Sequence, residues 1–133
     1  MTPEDYAKSG TEHSQQVALM IWTNDERVKK VYPELQLLFA IPNGGLRGKA
    51  QAGMLKAEGV KAGISDLLLP VKRGKFSGLF IEMKKPKGKT PAGKASKEQL
   101  AFGDAVMNQG YGFIVCDSWD KARDMLIAYL EQV

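Results

Sequence analysis

Two short apolar runs, each with charge at one end, constrain this chain more than any other feature. Ser65-Asp66-Leu67-Leu68-Leu69-Pro70-Val71 and Leu79-Phe80-Ile81-Glu82-Met83-Lys84 are too short for core helices and are bounded by Gly and Pro, so each reads as a buried strand. Lys72 to Gly78 is then the connecting turn of an antiparallel hairpin. Side chains alternate along a strand, which puts Phe80, Glu82 and Lys84 on one face and Leu79, Ile81 and Met83 on the other. In a hairpin, Asp66 at the start of the first strand lies beside the end of the second. Two carboxylates and one amine converge.

That trio has a chemical reading. Asp66 and Glu82 offer the oxygen ligands that suit a hard divalent cation such as Mg²⁺ or Mn²⁺, and such a cation makes a water easier to deprotonate. Lys84 is placed to orient the attacking water and to offset negative charge accumulating on a phosphate. An E-x-K triplet alone is more often a solvated hairpin. The apolar strands around it, the acid at the neighbouring strand's start and the lysines after it favour a site.

From Lys84 through Lys97 run six lysines and no acid, whereas the whole chain carries a formal charge of only +4, so the remainder is net negative. Charge this uneven points to a local polyanion contact through Lys85, Lys87, Lys89 and Lys94, with Lys72, Arg73 and Lys75 of the hairpin turn extending it. A solvated lysine loop is the competing reading. Pro86, Gly88, Pro91 and Gly93 make 85–95 a loop.

The rest of the chain predicts an α/β architecture in a single domain, residues 1–133. A first helix is expected over Thr11 to Lys29, with Val17, Met20, Ile21, Asn24 and Val28 at helical spacing and Ser9 with Glu12 as a capping box. Leu35 to Ile41 reads as a strand ending in Pro42-Asn43-Gly44-Gly45, and Gly48 to Glu58 as a helix stopped by Gly59. After the hairpin, Ser96 caps a helix to about Gln109, Tyr111 to Cys116 makes a fourth strand, and Ser118 starts a last helix. There Trp119, Ala122, Leu126, Tyr129 and Val133 share one face. The result is a mixed four-stranded sheet flanked by helices. Cys116, the only cysteine, excludes an internal disulfide; with no membrane-length apolar run and an acidic N-terminus, a cytoplasmic protein is expected.

Several supporting residues keep two readings. Glu12 is either a third carboxylate for metal or the capping acid of its helix. Gln99 completes Ser96-x-x-Gln99 as a capping box, yet it also shares a sheet-facing stripe with Phe102 and Val106 from which it would reach the site. Asn43-Gly44-Gly45 with Arg47 and Lys49 presents backbone N–H groups and two cations to a phosphate, or is a plain turn. Gly59 and Gly63 suit either close backbone approach to a ligand or a helix stop and strand start. His13, the lone histidine, is a weak phosphate-contact candidate.

The ordered set Glu12 to Gln16, Ile41-Pro42-Asn43-Gly44-Gly45, Gly59 to Asp66, Phe80 to Lys84, Ser96 to Gln99 and Gly110-Tyr111 resembles the VRR-NUC family of the PD-(D/E)xK nuclease superfamily, over nearly the whole chain. One departure is plain: Ser65 stands where the motif has proline. The resemblance implies a restriction-endonuclease-like core. It also implies Asp66, Glu82, the Met83 carbonyl and Glu12 as metal ligands, Lys84 as the catalytic lysine, and Gln99 and Glu12 in support. By analogy, the chain is expected to be a structure-selective DNA endonuclease, bacterial or phage-encoded, acting as a homodimer on four-way (Holliday) junctions, with Trp22, Tyr32, Leu35 and Phe39 as apolar residues for the interface. A flap-cleaving or less selective nuclease, and a nucleic-acid-binding module without activity, are the alternatives.

Overall fold

The computed structural model describes residues 1–42 and 49–133, Lys49 by its backbone alone. Among these described residues four strands, β1 (Phe39–Ala40), β2 (Leu67–Leu69), β3 (Leu79–Met83) and β4 (Gly112–Cys116), form one sheet in the order β1-β2-β3-β4. β1 with β2 and β2 with β3 are antiparallel, while β3 with β4 is parallel. A parallel neighbour cannot be joined by a tight turn. The crossover is α5 (Lys97–Asn108).

The alternation read from the sequence governs the packing. Leu79, Ile81 and Met83 are buried with Leu67 and Leu69 against Ala18 and Leu19 of α2 (Glu12–Thr23) and Trp119, Ala122, Leu126 and Tyr129 of α6 (Trp119–Leu130). On the other face Phe80 meets Phe102 of α5 edge-on, ring centroids 5.2 Å apart, and Tyr111 at 5.4 Å. Helices thus cover both faces, the restriction-endonuclease-like arrangement expected of the sequence. No helix among the described residues is long and apolar enough to cross a membrane.

Several expectations need correction. The helix placed over Thr11 to Lys29 is two, α2 and α3 (Glu26–Val31), because the Asp25 side chain accepts the Arg27 N–H at 2.8 Å and starts a new N-terminus. A short α1 (Pro3–Ala7) precedes them. The buried stripe of α2 is Ser14, Gln15, Ala18, Leu19 and Thr23, and Asn24 is exposed. A search for large apolar residues misses it because Gln15 is buried for its hydrogen bonds, accepting the Trp119 N–H at 3.0 Å and donating to the Ala7 carbonyl at 3.1 Å.

Leu35 to Ile41 is mostly not a strand: Pro33 opens a 3-10 turn through Leu37, and only Phe39–Ala40 pairs. Leu35 is in the core and cannot serve an interface. Lastly, α6 ends at Leu130, so Leu130 is buried in place of Val133, which is exposed. Nearby, Arg73 pairs with Glu34 and donates to the Leu130 carbonyl at 3.1 Å, tying the hairpin turn to the end of α6 instead of facing a polyanion.

Gly103 separates helix propensity from packing. Alanine is worth about 1 kcal/mol over glycine in a helix interior. Yet a methyl group at Gly103 would run into the Phe113 ring of β4. Gly103→Ala is therefore expected to destabilise the protein by about 1–3 kcal/mol in urea denaturation, the usual cost of overpacking; a gain in stability would show that α5 does not lie this close to the sheet.

Candidate functional site

The site forms just before β2 begins, where β3 runs on past the ladder. Leu67 pairs with Ile81, and no further β2 residue joins the ladder. Among the described residues Met83 therefore has no backbone partner on that side, and its N–H is taken by the Asp66 side chain, with Oδ2 accepting at 2.7 Å. The Asp66 carbonyl accepts the Ile41 N–H at 2.8 Å, so this residue is held from both sides. In an extended strand the N–H and C=O of one residue point the same way. The Met83 carbonyl consequently faces the same gap as Asp66.

Glu82 follows the alternation to the α5 face and is fully buried. Its Oε1 accepts from Gln99 Nε2 at 2.7 Å, with Lys84 Nζ 3.4 Å away. Its Oε2 is buried without a hydrogen-bond partner among the described residues. Gln99 unites the two roles read for it: Oε1 accepts the Ser96 N–H at 2.7 Å, Ser96 Oγ accepts the Gln99 N–H at 3.1 Å, and the amide nitrogen holds Glu82. One amide closes the capping box of α5 and grips the acid.

Glu12 joins from α2, and its capping role is overturned. Gly10 turns the chain with φ +67°, which leaves Thr11 as N-cap; Thr11 Oγ1 accepts the Ser14 N–H and Ser14 Oγ accepts the Thr11 N–H, both at 3.0 Å. Glu12 is left exposed in the first turn. Oxygens of Glu12, Asp66 and Glu82 lie within 4.8 Å of one another.

Three carboxylates this close repel. Burial, then the neighbouring Asp66, pushes Glu82 up from the ordinary 4.5 to about 8 against the opposing pull of Lys84. Glu12 is raised as well: though the residue is exposed overall, its carboxyl is partly desolvated at the cluster, with Lys84 opposing and Asp66 adding. A cation would relieve this repulsion, and an oxygen-only donor set with an unpartnered buried carboxylate oxygen fits a hard divalent ion.

The remaining candidates divide. Lys87, Lys89 and Lys94 are exposed on the 85–95 loop. Lys85 folds back onto its own loop: its ammonium donates to Thr90 Oγ1 at 2.6 Å and to the Pro91 carbonyl. Lys72 is exposed, as is Lys75, whose ammonium sits over the Phe76 ring, and His13 is exposed in the first turn of α2. Asn43 and Arg47 lie outside the described residues, as does the Lys49 side chain. Gly59, at φ +99°, stops α4 (Lys49–Ala57), whereas Gly63, at φ +80°, packs against Glu98 of α5, so both glycines serve the backbone. Ser65 is fully buried, and its hydroxyl has no partner among the described residues.

The model of the VRR-NUC domain family matches residues 10–120, a span that contains every residue of this cluster. The chain belongs to the VRR-NUC family. A solved structure described as a VRR_NUC domain protein is 26% identical, with a TM-score of 0.74 over 91% of this chain and 88% of its own. No match is found among curated proteins. Membership makes this VRR-NUC domain a nuclease by family, and the acidic cluster, Glu12, Asp66 and Glu82, is the place among the described residues where a metal ion is most readily held.

The raised Glu82 gives a stability profile. Between pH 4.5 and about 8 the folded metal-free protein retains a proton that the unfolded chain has lost, so stability falls as pH rises through that window. Glu82→Gln removes the titrating group and should flatten the fall in melting temperature, measured in chelator from pH 5 to pH 9; a parent profile that rises there would mean that Glu82 ionises normally.

Proposed function

We propose that this VRR-NUC domain is a Mg²⁺- or Mn²⁺-dependent, structure-selective DNA endonuclease that acts as a homodimer on four-way junctions. The observation that carries the reading is the meeting of Glu12, Asp66 and Glu82 within 4.8 Å, beside Lys84, with one buried Glu82 oxygen unpartnered among the described residues. Glu12, Asp66, Glu82 and the Met83 carbonyl would hold the ion. Bound there, it supplies an acidified water and positive charge at the phosphate.

The chain's own groups do the rest. Gln99 and Lys84 fix the orientation of the Glu82 carboxylate through Oε1, which leaves Oε2 for the ion. Lys84 also orients the attacking water and offsets charge growing on the phosphate. Exposed Glu12 leaves one side of the cluster open to solvent, from which a phosphate would approach. Lys87, Lys89 and Lys94 add affinity for the DNA backbone without reading sequence.

The dimer is inferred from the substrate. One chain contributes one such cluster among its described residues, resolving a junction needs two opposed cuts, and a two-fold dimer matches the junction's symmetry. Of the apolar residues available for the interface, Phe39 is exposed, while Trp22 and Tyr32 pack partly against the core.

A panel of duplex, flap, fork and four-way junction DNA, assayed with Mg²⁺, Mn²⁺ and chelator, tests the proposal alongside light scattering. Cleavage should require the metal and favour the junction. Asp66→Ala, Glu82→Ala and Lys84→Ala should each reduce it by about a hundredfold or more while leaving DNA binding in place. Cutting undiminished in chelator would refute the metal site, and a monomer that cuts flaps as readily as junctions would replace the resolvase with a flap nuclease.

A further inference from the structure

We propose that Lys85 is a positioning residue: its ammonium latches the 85–95 loop shut and thereby seats the loop's returning limb on the side chain of Lys84. The inference rests on Lys84 having the catalytic role proposed for it. Lys85 has the sequence of a phosphate contact, one of several lysines in a loop, but the geometry points inward. Its Nζ donates to Thr90 Oγ1 at 2.6 Å and to the carbonyl of Pro91. Its own carbonyl accepts the Gly93 N–H at 3.0 Å, and the Gly88 N–H donates to the Thr90 carbonyl at 3.0 Å. The loop is closed at its base by backbone and across its middle by one ammonium group.

Gly93 is the point where the latch meets the site. A Cβ there would lie 3.3 Å from Lys84 Cβ, 3.3 Å from the Lys85 amide nitrogen and 3.5 Å from Lys84 Cδ, so the glycine backbone rests along the aliphatic stem of Lys84. A free lysine side chain samples many rotamers and keeps its ammonium in water. Here the Lys84 side chain is only 11% exposed, with Nζ 3.4 Å from Glu82 Oε1. The main-chain end of Lys84 is fixed independently, its N–H donating to the Cys116 carbonyl of β4 at 2.8 Å. Sheet and latched loop confine the side chain from opposite ends.

The latch and a phosphate contact predict different behaviour for Lys85→Met and Thr90→Val. On the latch account both variants lower kcat by about tenfold through a misplaced Lys84, and leave KM and the salt slope of DNA affinity as they were. Because the two groups act through one contact, the double variant should be no worse than Lys85→Met alone. Both should also speed acylation of the Lys84 amine by an amine-reactive reagent, read by mass spectrometry in the whole protein. On the contact account, Lys85→Met instead flattens the salt slope by about 0.9 on duplex DNA, and Thr90→Val is silent. That outcome, or unchanged Lys84 labelling in both variants, overturns the latch. If the parent protein cuts no DNA, the catalytic role of Lys84 fails, and the labelling still decides whether Lys85 holds the loop.

Discussion

The structure turns on one buried carboxylate. Glu82 sits fully buried on β3, an inner strand of the sheet, where an unpaired charge is costly. Three neighbours are arranged around that cost: Gln99 and Lys84 at Oε1, and Asp66 pressing its charge from the start of β2. Two of the three oppose or relieve the charge and one aggravates it. A fold selected for stability alone would not put Asp66 beside both Glu82 and Glu12, since it raises the energy of each ionised acid. A divalent ion turns the same arrangement from repulsive to cohesive.

What brings the groups together is the late start of β2. Were the ladder to extend by two residues, backbone would satisfy Met83 and the Asp66 carboxylate would have no N–H to accept. With the ladder cut at Leu67, Asp66 substitutes its side chain for the missing strand. The other elements converge on this gap. The Thr11 cap delivers Glu12, the α5 capping box delivers Gln99, and the base of the lysine loop leaves β3 beside Lys84. Burial of one face by α2 and α6 and of the other by α5 makes the sheet rigid enough to keep these positions.

The hairpin was legible because its signal is strong in both respects that matter, apolar runs of strand length and charges at one end. Alternation put Glu82 and Lys84 on one face and antiparallel pairing put Asp66 beside them, so the trio was legible from the sequence. The N-terminal third was less legible for a physical reason. Gln15 is buried for hydrogen bonds and not for apolarity, and Asp25 ends one helix by capping the next, features that a periodicity of large apolar residues does not register. Gln99 had two readings, and one side chain performs both. Lys85 and Arg73 read as surface cations from composition; whether a cation faces water or its own chain depends on loop geometry that composition does not encode.

Calorimetric titration of Mn²⁺ into the metal-free protein near pH 7 is the most direct test of the claim that this cluster is a metal centre. The account predicts saturable binding that releases protons to the buffer, because Glu82 is pushed up to about 8 and must ionise to serve as a ligand, and it predicts that the binding is lost in Asp66→Ala with Glu82→Ala. Binding of the same strength in the double variant, or no binding by the parent, would contradict it.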